Sequence, residues 1–519
     1  MLSNMKKIMQ YSWLACILFL AACDKGFDEL NRNKTAATSV DPVFQLNSAI
    51  ANLGFPGSAL TYDMGIVQQI ITPNSGVLTG ANFNQDNRDN SQQMWQQYYR
   101  NVIRNTKDII GRTKSTADRS NLYNMTRILQ AYTFMQLTDT YGDIPYTQGG
   151  AGYSDAVFLP VYDAQQAIYT DLIKEFTEAS AALNATGRIE TGDALYGGNI
   201  ARWKKFGYSL LLRAGMRLSK VDPARAQQVV QAAFAGGVIT TNADNAVLRH
   251  DPNFVQGIGN TLNATEAANF YLAAPFVDYL KSTNDPRLSA IAIRYKGATS
   301  GSDQTVARGS TDAADQVGMP FGYDNTSIRP IATGLGLASF YDFSQVDRRR
   351  MAKNTAPTFF VTAAQTNLLL AEARHRGWIS TGTVQGHYEA GVRAHMEQLA
   401  SYDAGSAVPA SAIDAYLAAN PFDASKALEQ INTQYWIASF LNGPEAWANF
   451  RRSGFPALAP NPFAGKDLKR ESFIRRLTYP NSEISVNKAN YDVAVGRMKG
   501  QNGGVGGDDL DTRVWWDKP

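Results

Sequence analysis

The sequence predicts a mainly α protein, in which helical hairpins form a scaffold beside an irregular, loop-rich lobe. Apolar residues recur every three or four positions in several long segments, as one face of an amphipathic helix requires. Residues that cap helices precede these segments, and glycine or proline follows them. Between about residues 240 and 360, Gly, Asn, Pro and Asp dominate instead, which is typical of irregular structure.

Capping and helix-breaking residues give the predicted helix boundaries. The predicted N-caps are Asp163, Asn199, Asp222 and Thr362, the last in a capping box with Gln365. The predicted ends are Gly142, Gly236, Gly377 and Gly443. Short connections between these helices favour stacked hairpins, although no clean repeat is present. The scaffold is therefore expected at about 90–236 and 360–443, and irregular structure at about 240–360 and from 452 onward.

The N-terminus has the pattern of a bacterial secretory signal. Lys6 and Lys7 precede an apolar stretch that is too short to span a bilayer, and small residues end it. The letters LAAC at residues 20–23 also resemble a lipoprotein box, in which cleavage leaves an acylated cysteine. We expect residues 1–22 to be a signal peptide and Cys23 to carry the lipid. The alternative, a buried N-terminal helix, is disfavoured because a strongly apolar helix that follows two lysines has little to pack against.

The composition of the chain after the predicted signal indicates a tether and one globular domain. Residues 23–40 are polar and lack periodicity, so we expect a flexible tether between the lipid and a single domain at 41–519. Cys16 lies in the predicted signal, which leaves the mature chain without a disulfide. With 44% apolar residues, the chain can build a large core. Its 49 Lys and Arg nearly balance 46 Asp and Glu, and their scatter argues against nucleic acid as a partner.

Catalytic and metal-binding motifs are largely missing from the sequence. No P-loop, G-x-S-x-G, H-E-x-x-H or C-x-x-C pattern occurs. Glu372 and His375 have the spacing of half a di-iron site, but the other half is missing, which favours a solvated helix face. Residues 503–511 match one copy of a calcium-binding nonapeptide that works only in stacked copies, which favours a flexible turn. His387 and His395 lack a carboxylate partner, so we expect no metal and no cofactor.

Several segments resemble the SusD/RagB family of outer-membrane nutrient-binding lipoproteins, in its SusD-like branch. The first is LTDTYGDIPYTQ at 137–148, which is similar to the family signature aDtYGDIPY. The others are RWKKFGYSLLLRAGMRLS, NDPRL, NLLLAEARHRGW, NGPEAWANFRRSGFPAL, RRLTYPNSEISVNKANY and VWWDKP, in family order. The resemblance runs nearly from end to end. It implies a mainly helical fold with tetratricopeptide-like helix pairs and an irregular lobe that holds the ligand.

The resemblance also implies a partner and a location. Members of the family sit as a lid over a SusC-like, TonB-dependent transporter and pass oligosaccharides or peptides into the periplasm. Asp24, Asp28 and Glu29 resemble the acid-rich signal that exports such lipoproteins to the cell surface. We therefore expect glycan binding at the outer face of the outer membrane, with a peptide as the alternative ligand.

The family motifs themselves are expected to be structural. Asp139 and Asp143 can hold the backbone amides of the turn that follows a strong helix. Glu445, Arg451 and Arg452 are expected to form an ion-pair network inside the protein and not a ligand clamp. Ligand contacts are therefore sought in loops outside these motifs.

We predict the ligand site in two loops. Residues 72–99 mix amides, charges and aromatic rings, a combination that suits the hydroxyls and C–H faces of sugars. The predicted contacts are Asn74, Phe83, Asn84, Asp86, Arg88, Tyr323, Asp324, Tyr341 and Phe343. The last four lie in the irregular lobe and are expected to face the first loop across a shallow groove. The alternative is that these are ordinary solvated loop residues.

Two other classes of function stay open. A surface glycosidase would need an acid and a base, for which Asp139 and Asp143 are examples, but sequence alone cannot place two carboxylates across a sugar ring. A pure helical-repeat scaffold would bind only protein. It would be favoured if screens with glycans and peptides found no ligand.

Overall fold

Packed helices dominate the first half of the computed structural model, which describes residues 40–152 and 154–519. The helices are α1 Pro42–Ala51, α2 Arg88–Gln97, α3 Arg104–Thr113, α4 Ser120–Tyr141, α5 Gln165–Ala182, α6 Ile200–Arg217 and α7 Pro223–Gly236. A π-helical turn, Tyr98–Ile103, joins α2 to α3, and shorter turns lie at Ala59–Asp63 and Met64–Ile66. From α4 to α7 each helix packs against the next, as helical hairpins do.

A second group of helices follows the lobe. It comprises α12 Ala363–His375, α13 Val384–Gln398, α14 Ala410–Ala419, α15 Ala427–Ala438, α16 Gly443–Ser453, α17 Asn481–Val486 and α18 Lys488–Gln501. Helix α12 packs on both α13 and α15, and α15 packs on α16. Trp203, Trp436, Trp447 and Trp516 are among the largest fully buried side chains, so the two helical groups share one core. Residues Pro42–Pro519 form one compact unit.

The lobe between the helical groups contains short regular elements. Its helices are α8 Gly257–Asn263, α9 Ala274–Ser282, α10 Arg287–Ile291 and α11 Ile328–Gly334. The strands are β1 Ile70–Ile71, β2 Ala246–Leu248, β3 Tyr271–Leu272, β4 Ala292–Tyr295, β5 Gly309–Ser310, β6 Gln345–Val346 and β7 Thr358–Val361. The antiparallel pairs are β1 with β3, β2 with β7, and β4 with both β5 and β6. Because β1 precedes the scaffold in sequence, its pairing ties the first loop to the lobe.

Three of the four predicted N-caps are confirmed. The side chains of Asn199, Asp222 and Thr362 each accept a hydrogen bond from a backbone N–H in the first turn of the helix that follows. The predicted cap Asp163 is wrong, because its carboxylate instead accepts from the backbone of Tyr146 and Thr147. The start of α5 is capped from across the turn by Asp143, through 2.9 Å to the N–H of Gln165.

Two predicted boundaries near the C-terminus are wrong. Helix α15 ends at Ala438 and Gly443 begins α16, because the Asn442 side chain accepts from the N–H of Glu445 and starts a new helix there. The region after residue 452 also contains α17 and α18. Helix α18 buries only Ala494 and Met498 among its residues, so the sequence shows no apolar stripe there.

The membrane-related predictions concern the N-terminus. The signal peptide at 1–22, the lipidated Cys23 and nearly all of the tether at 23–40 lie outside the described residues. Within the part of the chain that the structure describes, no helix has the length and apolar character needed to cross a membrane.

Candidate ligand-binding surface

The first predicted loop places two of its residues inside the protein. Phe83 is 1% exposed, and its ring lies 4.8 Å from the ring of Phe463. Asn84 is 4% exposed and adopts a left-handed backbone with φ of 50°, from which its carbonyl accepts the N–H of Asp467. Their side chains reach no surface in this conformation, and the loop is held by the segment near residue 465.

Asp86 and Arg88 belong to a network of hydrogen bonds. Arg88 Nη1 lies 2.7 Å from Asp508 Oδ2, and Arg88 Nε lies 3.1 Å from Asp86 Oδ2. The hydroxyl of Thr478 donates to Asp86 at 2.7 Å. Both side chains border a shallow cavity of about 430 Å³ together with Asn481. The partners of Asp86 and Arg88 come from the distant C-terminal region, so both residues join the first loop to the end of the chain.

Asn74 and Asp324 are half-buried and stabilise their own turns. The Asn74 carbonyl Oδ1 accepts from the N–H of Gly76 at 2.9 Å. Asp324 accepts from both the backbone N–H and the hydroxyl of Ser327, at 2.7 Å and 2.8 Å. Those hydrogen bonds favour the charged carboxylate and lower the pKa of Asp324. The amide oxygen of Asn74 and the carboxylate of Asp324 can each accept further hydrogen bonds from solvent.

The three predicted aromatic residues of the lobe lie at different depths. Phe343 is fully buried in a cluster with Ile71 and Tyr271, whereas Tyr341 and Tyr323 are half-buried and pack against it. Tyr341 stacks on Phe340 with ring centroids 4.2 Å apart. Of the three, Tyr323 and Tyr341 retain surface that a ligand can touch.

A third segment, which the sequence reasoning missed, connects the two predicted loops. Asn461 is 3% exposed, and its Nδ2 donates to the carbonyls of Ala81 and Asn82 at 3.1 Å and 3.0 Å. Gly322 lies so close to the same segment that an added Cβ would be 2.6 Å from Asn461 Oδ1 and 2.9 Å from Pro462. Its φ of 85° also favours glycine. We call the meeting of residues 81–83, 321–323 and 461–463 the three-segment junction.

Aromatic rings reach the surface of the three-segment junction, whereas its amide side chains, Asn82 and Asn461, are buried. Phe321, Tyr323 and Phe463 are half-buried, and Pro462 is exposed. Aromatic rings that keep exposed surface can stack on the C–H groups of a sugar. Phe463 carried no sequence signal beyond its position in a stretch rich in Gly, Asn and Pro.

Asp139 and Asp143, the carboxylates of the segment LTDTYGDIPYTQ at 137–148, are both buried and bonded to other parts of the protein. Asp139 accepts from Trp516 Nε1 at 2.9 Å and lies 3.3 Å from Arg217 Nε. Burial raises the pKa of Asp139, although the arginine opposes this effect. Its predicted role of holding backbone amides is wrong, whereas Asp143 fills that role for α5 and also pairs with Arg497. Neither side chain is placed to act on a substrate at the surface.

Two members of the predicted internal network, Glu445 and Arg452, form ion pairs with other residues. The prediction is wrong for Arg451, which has no ion-pair partner among the described residues and donates instead to the carbonyl of Arg475 at 2.7 Å. Glu445 pairs with Arg213 and Arg217, at 3.2 Å and 2.7 Å. Arg452 pairs with Glu372 at 2.7 Å, and both side chains are 1% exposed. The prediction that Glu372 lies on a solvated helix face is therefore wrong. Burial alone would raise the pKa of Glu372, but the neighbouring Arg452 outweighs it and lowers the pKa to about 2.

The carboxylates of the single nonapeptide at 503–511 form ion pairs with arginines. Asp508 lies 2.8 Å from Arg476, and Asp509 lies 2.7 Å from Arg470, which also contacts Asp511. A calcium ion would have to displace these cations. Among the described residues, no group of three His, Cys, Asp or Glu side chains is arranged to hold a metal ion.

These features define a helical-scaffold protein whose candidate ligand surface lies on loops. Residues 34–480 match the family model described as SusD-like, starch-binding associating with outer membrane. The chain therefore belongs to the SusD-like family, and both the family resemblance and the mainly α fold predicted from the sequence are confirmed. No curated protein sequence matches this chain.

Solved structures of similar proteins share the fold. A chitin-binding protein is 30% identical, with a TM-score of 0.80 over 92% of this chain and 100% of its own. A Bacteroidetes SusD-like protein is 26% identical, with a TM-score of 0.79 and the same coverage of both chains. A chitin-binding SusD homologue from Flavobacterium johnsoniae is 23% identical, with a TM-score of 0.75 over 92% of this chain and 98% of its own.

Proposed function

We propose that this protein captures oligosaccharides at the cell surface and delivers them to a SusC-like, TonB-dependent transporter, without enzymatic activity. The observation that carries the proposal is the three-segment junction, where half-buried rings lie on adjoining loops in a member of a family described as starch-binding. The relative that is 30% identical is named a chitin-binding protein, which makes chitin and starch fragments the first ligands to test.

Within the three-segment junction, Tyr323 and Phe463 are the proposed stacking residues. Both rings are half-buried, so they combine a rigid base with an open face. Tyr341, Asn74 and Asp324 are proposed as secondary contacts, because each was predicted from the sequence and retains exposed surface. Phe83, Asn84 and Phe343 are assigned a supporting role beneath the surface because of their burial.

Calorimetric titration tests the ligand site. Oligomers of N-acetylglucosamine and of maltose are titrated into the purified protein, and the ligand that binds is then titrated into a Tyr323→Ala/Phe463→Ala double variant. We expect the affinity to fall more than tenfold, roughly 1.4 kcal/mol, because two stacking faces are lost. Phe158→Ala removes an exposed ring outside the junction and serves as the matched control. Unchanged affinity in the double variant, at an unchanged melting temperature, would contradict the site.

The lipid anchor at Cys23 forms a separate part of the proposal. An acylated cysteine inserts lipid chains into the membrane, and each buried CH₂ contributes about 0.8 kcal/mol. In the Cys23→Ala variant, we expect protein that is no longer held at the cell surface. Protease treatment of intact cells measures the exposed, cell-attached fraction. A variant that stays attached and accessible as the wild type does would rule out the anchor.

Delivery requires a partner in the outer membrane. We expect a SusC-like transporter to co-purify with the tagged, lipidated protein in mild detergent. Recovery of the protein without any outer-membrane barrel, under conditions that preserve other membrane complexes, would count against delivery while leaving glycan binding untouched.

A further inference from the structure

A polar groove lies at a place in the fold that the three-segment junction does not include. It has a volume of about 550 Å³, within the range of roughly 300–1,000 Å³ that is usual for small-molecule sites. Its walls are the end of α1 with residues 54–57, the helix α2 with the π-helical turn after it, and residues 250–261 of the lobe. We call it the Arg100 groove.

One wall of the Arg100 groove is a stripe of long polar side chains. Gln93, Gln96, Gln97, Arg100 and Asn101 recur every three or four residues, so they share one face of the helix. The stripe runs from α2 into the π-helical turn, a feature that is frequent at functional sites because it changes the direction of side chains.

Some side chains of this stripe bond to the rest of the protein, and others remain available to bond to a ligand. Gln97 donates from Nε2 to the carbonyls of Asn52 and Gly54, at 2.8 Å and 2.7 Å, which fixes the opposite wall. Gln96 is exposed and bonds only to Gln92, through one of its amide hydrogens. A ligand in the groove therefore meets amide donors and acceptors that the protein has not used.

The groove carries one fixed charge. Arg100 is exposed, and in the described part of the chain its guanidinium takes part in no ion pair or hydrogen bond. The residues that line the groove include no Asp or Glu. The other titratable lining residue, His250, has a pKa lowered by burial, and its Nδ1 donates to the carbonyl of Phe254 while Nε2 accepts from Thr358. Arg100 is thus the charged side chain of the groove lining, and its guanidinium fork has no carboxylate partner among the described residues.

An aromatic face completes the groove. Phe254 is 37% exposed, and its ring stacks on the ring of His250 with centroids 4.7 Å apart and an angle of 24°. Asp251 holds this loop by accepting from the N–H groups of Asn253 and Phe254, at 2.7 Å and 2.9 Å. Because the loop is braced on both sides, Phe254 presents a fixed surface for stacking.

We propose that the Arg100 groove binds an acidic sugar residue as a second carbohydrate site. The carboxylate or sulfate of the sugar pairs with the guanidinium of Arg100, the sugar ring packs on Phe254, and Asn101 and Gln96 bond to hydroxyl groups. A neutral sugar would leave the guanidinium unpaired on binding, so the groove selects for anionic glycans.

Calorimetry with defined acidic sugars tests this proposal. Trigalacturonic acid provides the carboxylate, glucosamine 6-sulfate provides the sulfate, and maltotriose is the neutral probe. We expect at least one acidic probe to bind the Tyr323→Ala/Phe463→Ala variant, in which the junction is disrupted, more tightly than maltotriose does. Adding Arg100→Gln to that double variant should lower the affinity for the acidic probe at least tenfold. The remaining binding should depend much less on salt concentration.

Matched controls separate the groove from general charge effects. Arg329→Gln removes an exposed arginine from α11, outside the groove, and should leave the affinity for the acidic probe unchanged. Phe254→Ala should weaken the acidic probe while the melting temperature stays the same. Failure of both acidic probes to bind, or equal losses in Arg100→Gln and Arg329→Gln, would overturn the proposal. Neither result bears on the binding of neutral glycans at the three-segment junction. The proposals for the junction and for the Arg100 groove can therefore be rejected separately.

Discussion

The helical scaffold and the Arg100 groove use arginine in opposite ways. In the scaffold, Arg217 and Arg452 are buried, and each lies 2.7 Å from the carboxylate of Glu445 or Glu372. In the groove, Arg100 is exposed and has no ion-pair partner among the described residues. Burial explains the difference, because a charge removed from water needs a partner, whereas an exposed guanidinium keeps its hydration until a ligand replaces it.

This comparison separates residues that identify the family from residues that can bind. The motif residues Asp139, Glu372 and Glu445 all have their charges satisfied inside the fold. The free donors and open rings lie instead on loops and at the edge of α2. A motif that defines the scaffold is therefore a poor guide to which side chains remain available to a ligand.

The largest expected effect comes from breaking a buried pair. Glu372→Gln keeps the shape of the side chain but leaves Arg452 as an uncompensated charge in the core. We expect the free energy of unfolding to fall by about 3–5 kcal/mol, as measured by urea denaturation. A loss below about 1 kcal/mol would mean that water or another group compensates Arg452, and the contrast with Arg100 would fail.

Asp63 is a buried carboxylate without an ion pair among the described residues, and its pKa shifts in the direction opposite to that of Glu372. Burial raises the pKa of Asp63 to about 8, although the charge of Arg451 opposes this effect, and Asp63 Oδ1 has no hydrogen-bond partner in the described structure. Because the folded pKa exceeds the unfolded one, the stability that the proton provides is complete below about pH 4 and is lost as the pH rises to 8.

Asp63→Asn should remove this part of the pH dependence. The difference in unfolding free energy between wild type and variant should change between pH 4 and 8, with a slope of up to about 1.4 kcal/mol per pH unit. Urea denaturation at several pH values measures it. Parallel pH profiles for the two proteins would show that Asp63 is already charged at neutral pH.

The three-segment junction should be sensitive to one methyl group. Gly322→Ala forces a left-handed backbone on alanine and places its Cβ against Pro462. We expect a loss of about 1–2 kcal/mol in stability together with weaker binding of neutral glycan. Gly334→Ala, where an added Cβ would have no neighbour within 4 Å, is the control. Equal effects of the two changes would indicate that the junction is loosely packed.

The smallest effect is expected at an exposed pair. Arg393 and Asp414 lie 2.6 Å apart, but their side chains are 39% and 65% exposed. Asp414→Asn should change the free energy of unfolding by less than about 1 kcal/mol, because water screens the pair and either partner can be solvated alone. Urea denaturation of Asp414→Asn and Glu372→Gln under the same conditions compares the two losses directly. Similar losses of unfolding free energy in both variants would contradict the role assigned to burial.

Local signals in the sequence determined the family, the mainly α fold and three of the four predicted helix starts. Asn199, Asp222 and Thr362 cap their helices as predicted, because an N-cap bonds to a backbone N–H only two or three residues away. Glycine ended α4 and α7 for a similarly local reason. Such contacts depend on neighbours in sequence, so reading the chain in order is enough to find them.

The tertiary structure alone decided which polar and aromatic residues are available to a ligand. Phe83 is covered by Phe463, Arg88 is paired with Asp508, and Asp143 rather than Asp163 caps α5. The first two partners lie hundreds of residues away along the chain, and the burial that they cause leaves no periodic pattern in sequence. Availability depends on distant packing, because the same side chain binds a ligand or supports the fold according to what covers it.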